Sequence, residues 1–301
     1  MLLLLDWDET LSAHDTLALI APPAGAQTRG PAFAAYGEAY MDDLQAHAAA
    51  RSPPRDLDEH FESLAALDAV ELASQARIEA GGLFEDADLA AMEARAREVA
   101  LRDGWREASQ WLAARGVEMH IISVGWSARF IAASLAHHGC ARPASICANE
   151  VEADATTGRG TGRLTKSRDA TSAGDGVAGI RTAPHKLREA QRIAQAWRQA
   201  GGQGKVVYAG DSTTDLQALL FADIGLVVGQ AKGLEETLER LGGRGWLAHA
   251  SRWTPQRKQR EALTFDLVEI DDWRQGLAVL QTVLLHERMG EEIGYLPADV
   301  R

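Results

Sequence analysis

The chain has 301 residues, of which 46% are hydrophobic and 25% are charged, a composition typical of a globular protein with a sizeable core. Its formal net charge of −12 argues against a nucleic-acid binder and against attachment to anionic membranes, because both need clustered lysine and arginine. The two cysteines, Cys140 and Cys147, fit neither a redox pair nor a disulfide framework. The apolar run at residues 2–5 is too short for a signal peptide or a membrane span, so we expect a cytoplasmic protein.

Short apolar runs alternate with helical patterns along much of the chain. Buried parallel strands are predicted at residues 2–6, 119–123, 206–210 and 224–228, and helices at 105–115, 186–200 and 215–221. This alternation predicts an α/β fold with a doubly wound, Rossmann-like parallel sheet. Ligands bind such sheets beyond the carboxyl ends of the strands, which is where Asp6, Ser123 and Asp211 stand.

The stretch between the first two predicted strands has helical spacing and no strand pattern. We predict that residues 15–104 form a helical cap, inserted into an α/β catalytic core made of residues 1–14 and 105–301. Residues 154–183 are rich in glycine, threonine, aspartate and serine, which predicts an extended loop or an irregular hairpin. Near the end of the chain, a strand is predicted at 265–270 and a helix at 273–286.

The first chemical motif is Asp6-Trp7-Asp8-Glu9-Thr10, directly after an apolar strand. A turn beyond Asp6 can bring both aspartates to one side. One carboxylate can then attack phosphorus and the other can transfer protons to the leaving oxygen and from water. Their repulsion calls for a cation, and Mg²⁺ suits oxygen ligands. The alternative is a solvated turn that caps the next helix. Trp7 should point away from the aspartates into the core.

Two further elements provide groups for phosphoryl oxygens. Ser123, Val124 and Gly125 follow the second predicted strand, where a hydroxyl and backbone N–H groups form an oxyanion pocket. A serine that caps the next helix is an equally good interpretation of Ser123 alone. Lys186 opens a predicted helix after the breakers Pro184 and His185. Since a lysine is unfavourable for the helix dipole there, it has another use or is merely solvated.

The fourth element is Gly210-Asp211-Ser212-Thr213-Thr214-Asp215. If a helix begins at Ser212, Asp211 lies at its cap and Asp215 about one turn later on the same side, so both could face one cation. An ordinary aspartate cap with an acidic first turn is the alternative.

Taken in order, these four elements resemble the motifs of haloacid dehalogenase-like (HAD) phosphatases, and they span about two thirds of the chain. The resemblance implies Asp6 as nucleophile and Asp8 as general acid and base. It implies Mg²⁺ held by Asp6, the backbone carbonyl of Asp8 and Asp211, with Asp215 in support. The phosphate pocket implied by the resemblance is made of Thr10, Ser123, Val124, Gly125 and Lys186. The predicted helical cap and the segment at residues 148–151 are similar to the phosphoserine-phosphatase-like branch.

The resemblance implies a Mg²⁺-dependent phosphomonoesterase that acts on a small phosphorylated metabolite. Asp8 favours phosphate chemistry, because family members that cleave carbon–halogen bonds lack this second aspartate. Two alternatives stay open: a phosphotransferase or phosphomutase of the same fold, and a binding domain without catalysis. The complete set of charged motif residues argues against the second alternative.

Overall fold

The computed structural model describes residues 1–23, 25, 29–170, 179–229, 232–243, 245–254 and 266–294. Among these residues, no helix combines the length and the apolar character needed to cross a bilayer. All elements below belong to this described part of the chain.

The centre of the fold is a seven-stranded parallel sheet in the order β3-β2-β1-β6-β7-β9-β8. The described strands are β1 (Leu2–Leu5), β2 (Glu118–Ile122), β3 (Ser145–Cys147), β4 (Asn149–Ala153), β5 (Gly160–Lys166), β6 (Val206–Gly210), β7 (Ile224–Val228), β8 (Leu247–His249) and β9 (Asp266–Ile270). The chain builds outward from β1 through β2 to β3, and then resumes on the other side at β6. The order therefore reverses between β1 and β6, which is where ligands bind in doubly wound sheets.

The apolar character of β1 explains its central position. All four of its leucines are fully buried. Leu3 and Leu5 face one hydrophobic core and Leu2 and Leu4 face the other, on the opposite side of the sheet. Alternation along a strand directs successive side chains to opposite faces, so an unbroken apolar run fits a strand covered on both sides.

Helices cover both faces of the sheet and fill the segment between β1 and β2. They are α1 (Leu17–Ile20), α2 (Phe33–Ala49), α3 (Leu57–Ala66), α4 (Asp68–Gly81), α5 (Leu89–Ala94), α6 (Trp105–Ala113), α7 (Ala128–His137), α8 (Ala183–Gln199), α9 (Leu216–Phe221), α10 (Lys232–Arg240) and α11 (Trp273–Gly294). The five helices α1 to α5 lie in the stretch predicted as a helical cap, and that stretch contains no named strand among its described residues. The division into cap and core stays a prediction.

The segment predicted as a loop or irregular hairpin contributes strand β5 to an irregular hairpin. Strands β4 and β5 pair antiparallel as a separate two-stranded sheet, with a register shift between Val151 and Ala153. The turn is closed by Asp154, whose Oδ1 accepts hydrogen bonds from the backbone N–H groups of Thr156 and Thr157. The hairpin packs against α4. The rest of the predicted loop includes residues 171–178, which lie outside the described residues.

Element boundaries differ from the sequence prediction at two helices. The chain does not break at Pro184: α8 begins at Ala183, with Thr182 as its cap residue and proline in its first turn, a position where proline costs no hydrogen bond. The final helix α11 runs on to Gly294, beyond the predicted end at residue 286. Elements β8 and α10 were not predicted: β8 has only three residues, whereas α10 does carry a helical apolar spacing at Leu234, Leu238 and, directly after its end, Leu241, all of them buried.

Candidate active site

The predicted strand-end residues come together at one edge of the sheet. Asp6 directly follows β1, Ser123 follows β2 and Asp211 follows β6. Because β2, β1 and β6 are adjacent and parallel, their carboxyl ends bring these residues into one cleft. The backbone N–H of Asp6 donates to the carbonyl of Ala209 at 2.9 Å, so the pairing of β1 with β6 extends to the residue that carries the carboxylate.

Lys186 joins two of the carboxylates. Its ammonium lies 2.8 Å from Asp6 Oδ1 and 2.8 Å from Asp215 Oδ1, and its side chain is 1% exposed. Burial opposes its charge, but the two carboxylates outweigh this and raise its pKa above the ordinary lysine range. The position of Lys186 in the first turn of α8 is unfavourable for the helix dipole. The two ion pairs offset that cost, so this lysine is not a solvated surface residue.

Asp215 is held entirely by protein donors. Its Oδ1 accepts hydrogen bonds from Lys186 and from the hydroxyl of Tyr208, each at 2.8 Å. Its Oδ2 accepts from the hydroxyl of Ser212 at 3.0 Å and from the backbone N–H of Ser212 at 3.3 Å. The prediction of Asp211 as the cap residue was wrong, because Ser212 is the cap and Asp215 completes its capping box. A Cβ at Gly210 would lie 2.4 Å from Asp215 Cγ, so glycine leaves the space that Asp215 occupies.

Three carboxylates form a group suited to a divalent cation. Oxygens of Asp6, Asp211 and Asp215 all lie within 4.8 Å of one another. One buried lysine neutralises only one of these three charges, and hard oxygen donors are what Mg²⁺ prefers. Among the described residues, Asp6 Oδ2 and Asp211 Oδ2 accept no hydrogen bond, whereas both oxygens of Asp215 do. The donor set therefore fits Mg²⁺ on Asp6 and Asp211 better than on Asp215.

The same crowding raises the pKa values of these acids. Burial, followed by the charge of Asp215, raises the pKa of Asp6 well above its ordinary value. Burial and Asp215 also raise the pKa of Asp211 to about 7. Both shifts come from negative charges confined with too few positive partners. A bound divalent cation would favour the ionised forms and lower both pKa values.

Asp8 lies outside the carboxylate group and has its own partners. Its Oδ1 accepts hydrogen bonds from the backbone N–H and the hydroxyl of Thr16, both at 2.7 Å. That hydroxyl also accepts from Trp7 Nε1 at 3.0 Å, and the ring of Trp7 is fully buried as predicted. Burial raises the pKa of Asp8 to about 6, a value at which one group can both donate and accept a proton near neutrality. The Asp8 carboxylate is not part of the metal group, so only its carbonyl remains as a predicted ligand.

Hydrogen bonds from two distant residues hold the backbone of the first motif. Glu9 has a positive φ of 56°, which turns the chain sharply between Asp8 and Thr10. The guanidinium of Arg102 donates to the carbonyl of Glu9, and Trp273 Nε1 donates to the carbonyl of Thr10 at 2.9 Å. The hydroxyl of Thr10 donates to Asp211 Oδ1 at 2.9 Å. Thr10, predicted to bind phosphate, therefore orients Asp211.

The predicted phosphate pocket forms a tight turn. The hydroxyl of Ser123 accepts a hydrogen bond from the backbone N–H of Gly125 at 2.9 Å. A Cβ at Gly125 would lie 3.0 Å from Ser123 Oγ and 3.5 Å from Asp8 Oδ2, which places this turn beside the proposed acid. Asn149 holds the turn: its Nδ2 donates to the carbonyls of Val124 and Ile180, each at 2.9 Å. Asn149 thereby ties the turn to the segment that leads into α8.

Sequence reasoning missed four residues that support this site: Thr16, Arg102, Asn149 and Tyr208. Each is placed by tertiary packing, and none belongs to a local pattern. Asn149 belongs to the segment at residues 148–151, whose resemblance to the phosphoserine-phosphatase-like branch was the one available signal. Lys166, at the end of β5, does not reach the carboxylates; its ammonium donates to the carbonyl of Ala170 at 2.9 Å.

A cavity of about 310 Å³ adjoins this edge. Val124 of the phosphate turn and Thr214 next to Asp215 line it at the catalytic side. Residues of α2, α4 and β5 line much of the remainder, together with Asp15, Leu17, Trp126, Asn149, Ile180 and Arg181. The cavity therefore lies next to the phosphate turn and to the segment that carries Asp215.

Known proteins resemble this chain in sequence and in fold. The sequence matches the haloacid dehalogenase-like hydrolase family over residues 3–220. A CTO1 family protein of Schizosaccharomyces pombe is 28% identical over 246 residues, which cover 80% of this chain and 86% of that protein.

Three solved structures share the fold. A phospho-aspartyl intermediate analogue of phosphoserine phosphatase has a TM-score of 0.50 at 15% identity, covering 92% of this chain and 97% of that one. A probable phosphoserine phosphatase from Vibrio cholerae has a TM-score of 0.53 at 14% identity, and the match covers 96% of this chain and 67% of that one. Cytosolic 5'-nucleotidase IIIB bound to cytidine has a TM-score of 0.52 at 12% identity, and the match covers 95% of this chain and 87% of that one. With the family match over most of the chain, the strand-end carboxylates and the shared fold, this protein belongs to the haloacid dehalogenase-like hydrolases.

Proposed function

We propose that this hydrolase is a Mg²⁺-dependent phosphomonoesterase that acts on a small phosphorylated metabolite through an aspartyl phosphate on Asp6. The observation that carries the proposal is the contact between Lys186 and Asp6, 2.8 Å apart and almost fully buried at a strand end. A lysine in that place orients the nucleophile and also offers its charge to an incoming phosphate.

The residues divide the chemistry into two steps. Asp6 Oδ2 attacks phosphorus, and the bond to the leaving oxygen breaks as Asp8 donates its proton to that oxygen. The product alcohol leaves, and Asp8 is then an anion. It removes a proton from a water molecule that attacks the phosphorus of the aspartyl phosphate, which releases phosphate and restores both carboxyl groups. Lys186, Ser123 and the N–H groups of the turn at Val124 and Gly125 bind the phosphoryl oxygens.

The metal would be held by Asp6, Asp211 and the carbonyl of Asp8. When bound, Mg²⁺ reduces the repulsion between the phosphate and the Asp6 carboxylate. Asp215 serves as a positioning residue, because its four hydrogen bonds hold Lys186 and the capping turn. Thr10 does the same for Asp211.

Residues 15–104 would act as the cap that covers the reacting phosphate. Two observations support this role: Thr16 from this stretch contacts Asp8 directly, and α2 and α4 line the cavity beside the phosphate turn. A cap that excludes water favours the attack of Asp6 and leaves one water for the second step.

Phosphate release from an aryl phosphate tests the proposal, with Mg²⁺ and with excess chelator, for the wild type and Asp6→Asn. We expect metal-dependent release that falls to less than about one thousandth in Asp6→Asn, whose fold is checked by circular dichroism. Asp58→Asn, on the exposed first turn of α3, is the matched control and should keep full activity. Release that persists in chelator would contradict the role of Mg²⁺. Release by Asp6→Asn near the wild-type rate would contradict the role of Asp6 as nucleophile.

A further inference from the structure

The cavity beside the phosphate turn has an aromatic wall. Phe33, Tyr36, Tyr40 and Trp126 all line it. The ring of Trp126 is fixed by edge contacts to Phe33, with ring centres 6.0 Å apart, and to Phe84, with ring centres 5.8 Å apart. Because its neighbours hold it in place, Trp126 can contact a ligand with little loss of side-chain entropy.

The charged groups around the cavity are mainly acidic. Asp15 and Glu71 line it, and Arg181 is its one cationic side chain among the described lining residues. Arg181 is already paired with Asp68, through contacts of 2.8 Å from Nε and 3.2 Å from Nη2. Its charge is therefore offset, and the cavity retains a negative balance.

Glu71 points its carboxylate to the aromatic wall. Its Oε1 accepts a hydrogen bond from the Tyr40 hydroxyl at 2.6 Å, and among the described residues no donor to Oε2 is present. Burial raises the pKa of Glu71, which means that the fold destabilises this anion. A cationic ligand would relieve that cost.

We propose that the cavity binds an ammonium group, so that the substrates are phosphomonoesters of small amino alcohols, including N-methylated ones. This inference rests on the proposed phosphatase function. Aromatic rings around an ammonium group attract it through their π-faces, and Glu71 adds an opposite charge. A volume of about 310 Å³ is at the lower end for ligand pockets, which suits a short alcohol.

The same features disfavour a leaving group that bears a carboxylate. Such a group would face Glu71 and Asp15, while the single lining cation, Arg181, is engaged with Asp68. Like charges at close range in a partly buried site oppose binding. The cavity thus differs in charge from what a substrate with a free carboxylate requires.

The test compares phosphocholine with 3,3-dimethylbutyl phosphate, in which a tert-butyl group replaces the trimethylammonium group at nearly the same shape. We expect the wild type to have a kcat/KM for phosphocholine about tenfold higher than for the neutral isostere. In Glu71→Gln this ratio should fall toward one. Glu38→Gln is the matched control, because Glu38 lies on α2, is exposed and does not line the cavity; it should keep the wild-type ratio.

Binding provides a readout that does not depend on turnover. In the presence of Mg²⁺, calorimetry on Asp6→Asn should give a Kd for phosphocholine about tenfold lower than for the isostere. Equal or reversed preference in the wild type, together with Asp6-dependent hydrolysis of an aryl phosphate, would overturn the inference and leave the phosphatase function standing. Preferential binding without Asp6-dependent turnover of any ester would overturn the function alone. If Glu71→Gln keeps the wild-type ratio of kcat/KM values, Glu71 is not the cause of the preference for phosphocholine.

Discussion

The catalytic edge and the neighbouring cavity are built in different ways. At the edge, Asp215 alone accepts four hydrogen bonds, and Lys186 bridges two carboxylates. In the cavity, Glu71 accepts one hydrogen bond, from Tyr40, and lines the same space as Phe33, Tyr36 and Trp126. At the edge, hydrogen bonds and ion pairs fix Asp215 and Lys186 and leave one oxygen each of Asp6 and Asp211 for a cation, whereas in the cavity one oxygen of Glu71 has no donor among the described residues. Under the proposed function, this contrast means that strand ends and α8 provide the reacting groups, and that the cavity beside them selects the leaving group.

Among the changes considered, removal of Lys186 should have the largest effect on the polar network at the catalytic edge. Lys186→Met would leave Asp6 and Asp215 buried without their common cation, which should lower the free energy of unfolding by about 3–5 kcal/mol. Phosphate release should also be lost. Denaturant unfolding monitored by circular dichroism measures the first effect.

Lys205→Met is the matched control for Lys186→Met. The ammonium of Lys205 lies 3.1 Å from Asp223, but its side chain is 46% exposed. Solvent-exposed pairs contribute little, so we expect a change below about 1 kcal/mol. Equal losses in the two variants would mean that burial does not distinguish the edge from the surface.

A smaller effect is expected where the two regions meet. Thr16→Val keeps the backbone donor to Asp8 but removes the hydroxyl that joins Asp8 to Trp7. Asp8 would be less well oriented for proton transfer, and we expect kcat to fall about tenfold while KM stays constant. Steady-state kinetics on an aryl phosphate measure both values.

Thr16→Ser keeps the hydroxyl and should retain most of the wild-type kcat. Equal losses in the valine and serine variants would show that the hydroxyl alone does not explain the effect, because serine keeps the hydroxyl and valine keeps the methyl group. An unchanged kcat in both would show that Asp8 does not need this contact.

Much of the candidate site was predictable because most of its residues lie at strand ends. Once β1, β2 and β6 are recognised as parallel neighbours, the geometry of a sheet brings Asp6, Ser123 and Asp211 together. The choice of Lys186 came from the motif order and the unfavourable helix position. The finer roles within the motifs were less accessible, because whether Asp215 faces a metal or a lysine depends on side-chain packing.

The supporting residues and the cavity could not be predicted in the same way. Asn149 reaches Val124 and Ile180 only after β4 and the segment before α8 are folded. Tyr40 and Glu71 lie on different helices, and their contact depends on how α2 packs against α4. Helical periodicity indicates which face of a helix is apolar, but it does not give the orientation of one helix relative to another.

The central claim is that Asp6 carries the phosphoryl group, and chemical trapping tests it most directly. Borohydride reduces an acyl phosphate to the corresponding alcohol, so enzyme quenched during turnover and treated with borohydride should contain homoserine at position 6. Mass spectrometry of the peptide that holds Asp6 reads this conversion against enzyme treated without substrate. We predict homoserine at position 6 that depends on both substrate and Mg²⁺. Modification at another residue, or an active enzyme with aspartate unchanged at position 6, would contradict the account.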